Sequence, residues 1–178
     1  MSLYIREINK DDKDELLRMV EEIRNDVLED KFEGFRNIGN LTNDSFDEFL
    51  ESLEKNKNIK LYNPNLENQT TFILVDENNH IYGGSNIRHN LNKGLFTHGG
   101  HIGYLIRPTE RKKGYGTLIL KLDLDECKKM GIDRVLVTCR EDNVGSAKVI
   151  ENNGGVYEDS RENPQENRMY RRYWIDID

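Results

Sequence analysis

The sequence predicts an α+β fold, a mixed and mostly antiparallel central sheet flanked by helices, and three stretches carry that prediction. Residues 71–75 and 81–89 read as strands on either side of Asp76-Glu77-Asn78-Asn79, with another strand beginning at His101, so the middle of the chain is an antiparallel meander. From His101 the pattern is strand, helix, strand as far as Cys139, and a helical crossover of that length implies parallel pairing. Two amphipathic helices precede the meander and can cover one face of its sheet.

At the start, Leu3, Ile5 and Ile8 separated by polar residues suggest a first strand, and Asn9 to Asp12 offers helix-capping side chains. The helix that follows is predicted to run to about Glu29, with Leu16, Leu17, Val20, Ile23, Val27 and Leu28 recurring on its buried face. A loop from Asp30 to Leu41 contains Gly34 and Gly39, and Thr42 to Asp44 caps a second helix through about Lys55. Residues 57–70 are polar and turn-rich, which suits either a plain connection or a loop on the substrate side.

After the hairpin, Ile102, Tyr104, Leu105 and Ile106 have the β-branched and aromatic character of a buried strand, and Pro108 ends it because proline has no amide for the ladder. Good helix formers run from Thr117 to Met130, Gly131 closes that helix, and Arg134 to Cys139 is a short strand. Asn143 caps a helix carrying Ala147, Val149 and Ile150, and residues 156–157 and 169–177 supply the last strands. Arg168, Arg171 and Arg172 interleave with Tyr170, Tyr173 and Trp174 there, a pattern that fits a half-buried final strand.

The 178 residues are enough for one well-buried core, so a single domain over 1–178 is expected. The hydrophobic fraction is 35% and the charged fraction 33%, which predicts a very polar surface around clustered apolar runs. A net charge of −7 repels a nucleic-acid backbone and argues against that class of partner. Cys127 and Cys139 share no metal or redox spacing and read as reduced core thiols, consistent with a cytoplasmic protein. No apolar run is long enough for a membrane span. His98 and His101, three apart, would point to opposite faces of a strand, so no metal is expected.

The chemistry concentrates between His101 and Thr117. Arg111, Lys112, Lys113, Gly114, Tyr115 and Gly116 lie between the strand and the helix, so the glycines open a helix N-terminus. Unpaired amides and the positive end of the helix dipole attract phosphate there, glycine permits close approach, and three basic side chains suit a polyanion such as a pyrophosphate. No Gly-Lys-Ser or Gly-Lys-Thr makes this a P-loop, and Ile119 stands where a dinucleotide fingerprint needs its third small residue.

Arg111-Lys112-Lys113-Gly114-Tyr115-Gly116 resembles the acetyl-CoA loop of the GNAT superfamily of N-acetyltransferases: Arg or Gln, two residues, Gly, one residue, then Gly or Ala. The predicted element order is similar to the whole GNAT fold. A second stretch, Asn143-Val144-Gly145-Ser146-Ala147 followed by Gly154, resembles the superfamily's Asn-x-x-Ser or Ala helix, although Gly155 replaces the usual aromatic. Gly83 to His89 and Gly99 to Tyr104 look like a branch of predicted acetyltransferases within it.

The resemblance implies a GNAT acyl-CoA N-acyltransferase fold in which the fourth and fifth strands splay and the pantetheine of acetyl-CoA enters between them. Backbone groups of Leu105 and Ile106 would then bind the cosubstrate, with the amides of Arg111, Lys112, Lys113, Gly114, Tyr115, Gly116 and Thr117 on its pyrophosphate and Asn143 and Ser146 flanking the thioester. It implies acetyl transfer to a primary amine, small-molecule or peptide, by direct attack in a ternary complex, with a homodimer as a possible assembly. An amine with a pKa of about 10.4 is roughly 99.9% protonated at neutral pH, so a base is needed. His101, seven before the proline, stands near the family's usual glutamate, and is otherwise a satisfied core histidine.

Relatives place a tyrosine acid seven residues after the capping asparagine, where this chain has Ile150. Ser146, Tyr157 and Tyr170 are the candidate replacements. The departure also admits another reading, a catalytically weak coenzyme A-binding sensor or interaction module. Asn86, Arg88 and His89, on the strand before His101, are the candidate acceptor-binding residues.

Overall fold

The computed structural model describes residues 2–27 and 32–177. Seven strands, β1 (Tyr4–Glu7), β2 (Gln69–Val75), β3 (Ile81–Arg88), β4 (Ile102–Ile106), β5 (Arg134–Arg140), β6 (Val156–Asn163) and β7 (Arg168–Asp176), form one sheet in the order β1-β2-β3-β4-β5-β7-β6. Every neighbouring pair is antiparallel except β4 with β5, so the expected mixed sheet is present. The helices are α1 (Lys13–Arg24), α2 (Phe46–Asn56), α3 (Tyr115–Lys129) and α4 (Val144–Asn152).

Local chemistry sets the element boundaries. Asn9 and Asp12 make reciprocal side-chain caps at the entry to α1, and Leu16, Met19, Val20 and Ile23 bury its apolar face. That helix ends at Arg24, short of the predicted length, and Val27 is 95% exposed rather than buried. Leu28 and Glu29 lie outside the described residues. The β2–β3 hairpin closes where Asp76 Oδ1 accepts from the amides of Asn78 (2.8 Å) and His80 (3.0 Å).

Alternation along the strands sends side chains to two cores. On one face, Ile73, Val75 and Leu105 pack under α1 and α2. The segment read as a loop contributes Phe35, Ile38 and Leu41 to that core, because one turn of 3₁₀ helix at Arg36–Ile38 folds it back onto Gly84 and α1. On the other face, Ile102, Val137 and Cys139 pack under α3 and α4 with Leu120, Cys127, Ala147 and Ile150. Leu95–Gly99 forms one turn of π-helix, which places His98 off the strand expected to carry it.

Candidate active site

The site begins where the sheet fails to close. Strands β4 and β5 register only at Ile102 and Val137, while His101 adds a backbone bond to the Leu136 carbonyl at 2.7 Å. Beyond Ile102 the two strands diverge and leave a cleft of about 980 Å³, a size suited to a cofactor with a small substrate. Its walls come from β4, β5, the first turns of α3 and α4, and the segment around Gly34. Peptide groups alternate sides along a strand, and the bonds Arg88 N–His101 O and Arg107 N–Tyr82 O turn odd-numbered residues of β4 toward β3. The peptides of Tyr104 and Ile106 therefore face the gap, whereas that of Leu105 is turned to β3.

At one end of the cleft the chain turns from β4 into α3. Gly114 caps the helix with φ +87°, and a Cβ built there would meet no atom within 4 Å. No side chain caps the first turn, so its amides are open to a ligand. Gly116 lets α3 approach α4, since an added Cβ would stand 3.1 Å from Val149. Tyr115 turns away and packs edge-on against Tyr82 at 4.8 Å between centroids.

The three basic side chains of this turn are not equivalent. Arg111 pairs with Asp26 and donates to the Ile106 carbonyl, and Lys113 pairs with Glu110 at 3.0 Å. Lys112, at φ +61°, makes no ion pair among the described residues and lines the cleft, so only its ammonium is uncommitted. The turn thus keeps its open amides and glycines, with less mobile charge than the sequence promises.

Midway along the cleft, Asn143 Oδ1 accepts the Ser146 amide at 3.0 Å and so fixes the start of α4. Ser146 Oγ stands 2.9 Å from the Tyr104 hydroxyl, and both residues line the cleft. Burial raises the Tyr104 pKa, against the hydrogen bond from Ser146, so the phenol stays protonated. Ile150 is fully buried in the core. Tyr157 is not brought to the cleft: it lies half exposed on β6, with its hydroxyl 3.0 Å from Ser160.

The remaining sequence candidates separate in space. His101 does not line the cleft; its Nδ1 accepts the Leu136 amide at 2.9 Å. Burial, aided by the charge of Arg88, lowers its pKa to about 4. Asn86 bonds Thr71 and lies under the core, and His89 Nε2 is 2.8 Å from the Thr70 hydroxyl, so neither reaches the cleft. Arg88 does line it, beside Glu33, Arg36, Glu166 and Tyr170. The Tyr170 hydroxyl lies within 3.2 Å of Glu33 and 2.5 Å of Glu166, and Arg36 pairs with Glu166 at 2.7 Å.

Tyr104, Glu33 and Glu166 escape the sequence reading. The alternation of Ile102 and Tyr104 could have exposed the first, while nothing local marks the two glutamates, which the fold brings together from 133 positions apart. Among the described residues no group of three or more His, Cys, Asp or Glu is placed to hold a metal, and no helix is long and apolar enough to cross a membrane.

A family model described as an acetyltransferase (GNAT) domain matches residues 2–156. Among solved structures, the ribosomal-protein-S5-alanine acetyltransferase of Vibrio fischeri is similar over 100% of this chain and 94% of its own, at 17% identity and a TM-score of 0.71. RimL, a ribosomal L7/L12 alpha-N-protein acetyltransferase solved with coenzyme A, is similar over 100% and 96% of the two chains at 16% identity and a TM-score of 0.68. The yncA protein of Salmonella typhimurium, solved with its cofactor acetyl-CoA, is similar over 100% and 95% at 12% identity and a TM-score of 0.61. Among curated proteins none matches the chain in sequence.

Proposed function

Because the chain belongs to the GNAT acetyltransferase family, we propose that it transfers the acetyl group of acetyl-CoA to a primary amine by direct attack in a ternary complex. The observation that carries the reading is the single-residue contact between β4 and β5, opening onto the uncapped first turn of α3. A strand-like pantetheine can bond the peptide groups of Tyr104 and the amide of Ile106, whose carbonyl is taken by Arg111, while the amides from Gly114 to Thr117 and the Lys112 ammonium receive its pyrophosphate. We read residues 1–178 as one domain built around this cleft.

Acetyl-CoA supplies an activated thioester; the chain's part is to place it and to manage protons. The cosubstrate enters on the face covered by α3 and α4, where Tyr104 and Ser146 meet. The acceptor occupies the opposite face, where Arg88, Glu33 and Glu166 line the same cleft. The neutral amine nitrogen bonds the acetyl carbonyl carbon, the carbon–sulfur bond breaks, and the thiolate takes a proton from the Tyr104–Ser146 hydroxyl pair. The proton lost by the amine passes to the acidic cluster at Glu33 and Glu166, directly or through water. His101 acts in this scheme as a positioning residue for the splayed strands.

The buried Ile150 favours the second reading, a coenzyme A-binding module with little turnover. Calorimetry with acetyl-CoA and coenzyme A, followed by thiol release in the presence of amines, separates the two. Binding with amine-dependent turnover supports the enzyme, binding without turnover supports the module, and a folded protein that binds neither ligand defeats both.

A further inference from the structure

The acceptor half of the cleft contains a cation with no counter-ion among the described residues. Arg88 follows β3 on the face covered by α1 and α2, and its backbone amide bonds the carbonyl of His101 at 2.8 Å, so the side chain emerges at the narrow end of the splay. There the guanidinium lies over Gly103, where an added Cβ would come within 3.4 Å of Nη1. Its one hydrogen bond among the described residues, 3.4 Å to the Gly99 carbonyl, leaves most of its five donors without an acceptor there.

The neighbouring charges are already matched. Arg36 pairs with Glu166, and Arg140 lies 3.2 Å from Asp142 and 3.4 Å from Glu33. Arg88 pairs with no carboxylate among the described residues, and Arg36 adds repulsion. Burial, helped by that repulsion, lowers even this guanidinium to about 10. Arg88 is half-buried in the cleft wall, and a half-buried cation that pairs with no carboxylate is stabilised when a ligand supplies the anion.

Resting on the acetyltransferase reading, we propose that the acceptor is a small amino-acid-like amine whose carboxylate is held by Arg88. The guanidinium fork matches a carboxylate in two parallel hydrogen bonds, which orients the molecule as well as retaining it. Glu33 and Glu166, lining the same half of the cleft, receive the ammonium end before its proton is lost. A polyamine fits less well, because Arg36, Arg88 and Arg140 all line the cleft and Arg88 pairs with no carboxylate among the described residues.

The test compares amines that differ only in the carboxylate. Thiol release from acetyl-CoA is followed with each of the common amino acids, with phenylalanine against 2-phenylethylamine and lysine against 1,5-diaminopentane, and with the methyl esters of the amino acids. At least one amino acid should show a KM about 10- to 100-fold below its decarboxylated partner and its ester. Arg88→Gln should erase that difference while leaving acetyl-CoA affinity by calorimetry unchanged and without lowering the thermal midpoint, and Arg88→Lys should restore part of it.

Equal or better turnover of the decarboxylated amines overturns the proposal, as does a carboxylate preference that survives Arg88→Gln. Turnover of no amino acid by a protein that binds acetyl-CoA overturns it too, while leaving the cofactor site standing. Failure to bind acetyl-CoA removes the acetyltransferase reading beneath it.

Discussion

His101 and Leu136 are joined twice across the narrow end of the cleft: the His101 amide donates to the Leu136 carbonyl at 2.7 Å, and the Leu136 amide donates to His101 Nδ1 at 2.9 Å. The imidazole thus accepts the bond that a strand carbonyl would otherwise take, and it ties β4 to β5 immediately before they part. A ring used in this way holds the apex of the site and must be neutral at Nδ1.

That requirement predicts acid sensitivity. His101 has a folded pKa of about 4 against an ordinary 6.5, so the unfolded chain takes up the proton first as pH falls. Stability is complete above about pH 6.5 and declines as pH drops toward 4, by up to about 3 kcal/mol. In His101→Asn, whose Oδ1 can accept the same amide, the decline between pH 7 and 5 should shrink to the part contributed by His89, which burial shifts in the same direction. Urea titrations across that range measure it, and an unchanged slope would remove His101 from the account.

Gly114→Asp should weaken acetyl-CoA and coenzyme A binding by at least about 10-fold, since a carboxylate at the positive end of α3 repels phosphate. The protein should still fold: the Cβ meets nothing within 4 Å, and aspartate tolerates the left-handed conformation better than most residues. Unaltered affinity by calorimetry would move the pyrophosphate site elsewhere.

Tyr104→Phe should lower kcat by about 100-fold with little change in KM, the lower end for loss of a proton donor, because a thiolate can leave unaided. Since burial holds the phenol protonated, its ionisation should not limit the rate between pH 6 and 9. Steady-state kinetics decide the matter; a rise in KM alone would make the hydroxyl a binding contact.

Asp123, fully buried on α3, accepts from the Ser85 hydroxyl at 2.7 Å through one oxygen and has no partner for the other among the described residues. Burial raises its pKa well above 3.8, so the folded protein holds the proton to a higher pH than the unfolded chain does. That difference lowers stability as pH rises above the unfolded value. Asp123→Asn should stabilise the protein at pH 7 by about 1–3 kcal/mol, and the gain should fade toward pH 4. Thermal melts at both pH values test it, and a loss of stability at pH 7 would contradict the raised pKa of Asp123.

Several features were legible because they are local. The two cap positions Asn9 and Asn143 act through amides two and three residues ahead, and the glycine at 114 starts α3 within a residue of where the pattern puts it. Other features required distant partners. Phe35, Ile38 and Leu41 recur every third residue, but in too short a run, interrupted by Gly39, to mark a helix, so only their packing under Gly84 and α1 marks them as core. Tyr157 and Tyr104 look alike in sequence, yet the register of β6 leaves the first on the surface while β4 carries the second to Ser146.

The sequence by itself determined the sheet, its single parallel crossover and the glycine-opened turn into α3, because hydrophobic period, caps and glycine placement act over a few residues. Tertiary structure alone decided which groups face the cleft. His101 is drawn into the apex by an amide 35 positions away, Arg111 and Lys113 are claimed by Asp26 and Glu110, and Arg88 pairs with no carboxylate among the described residues. The physical reason is that a side chain's charge and free hydrogen-bonding groups depend on what packs against it, and those neighbours come from parts of the chain that no local pattern connects.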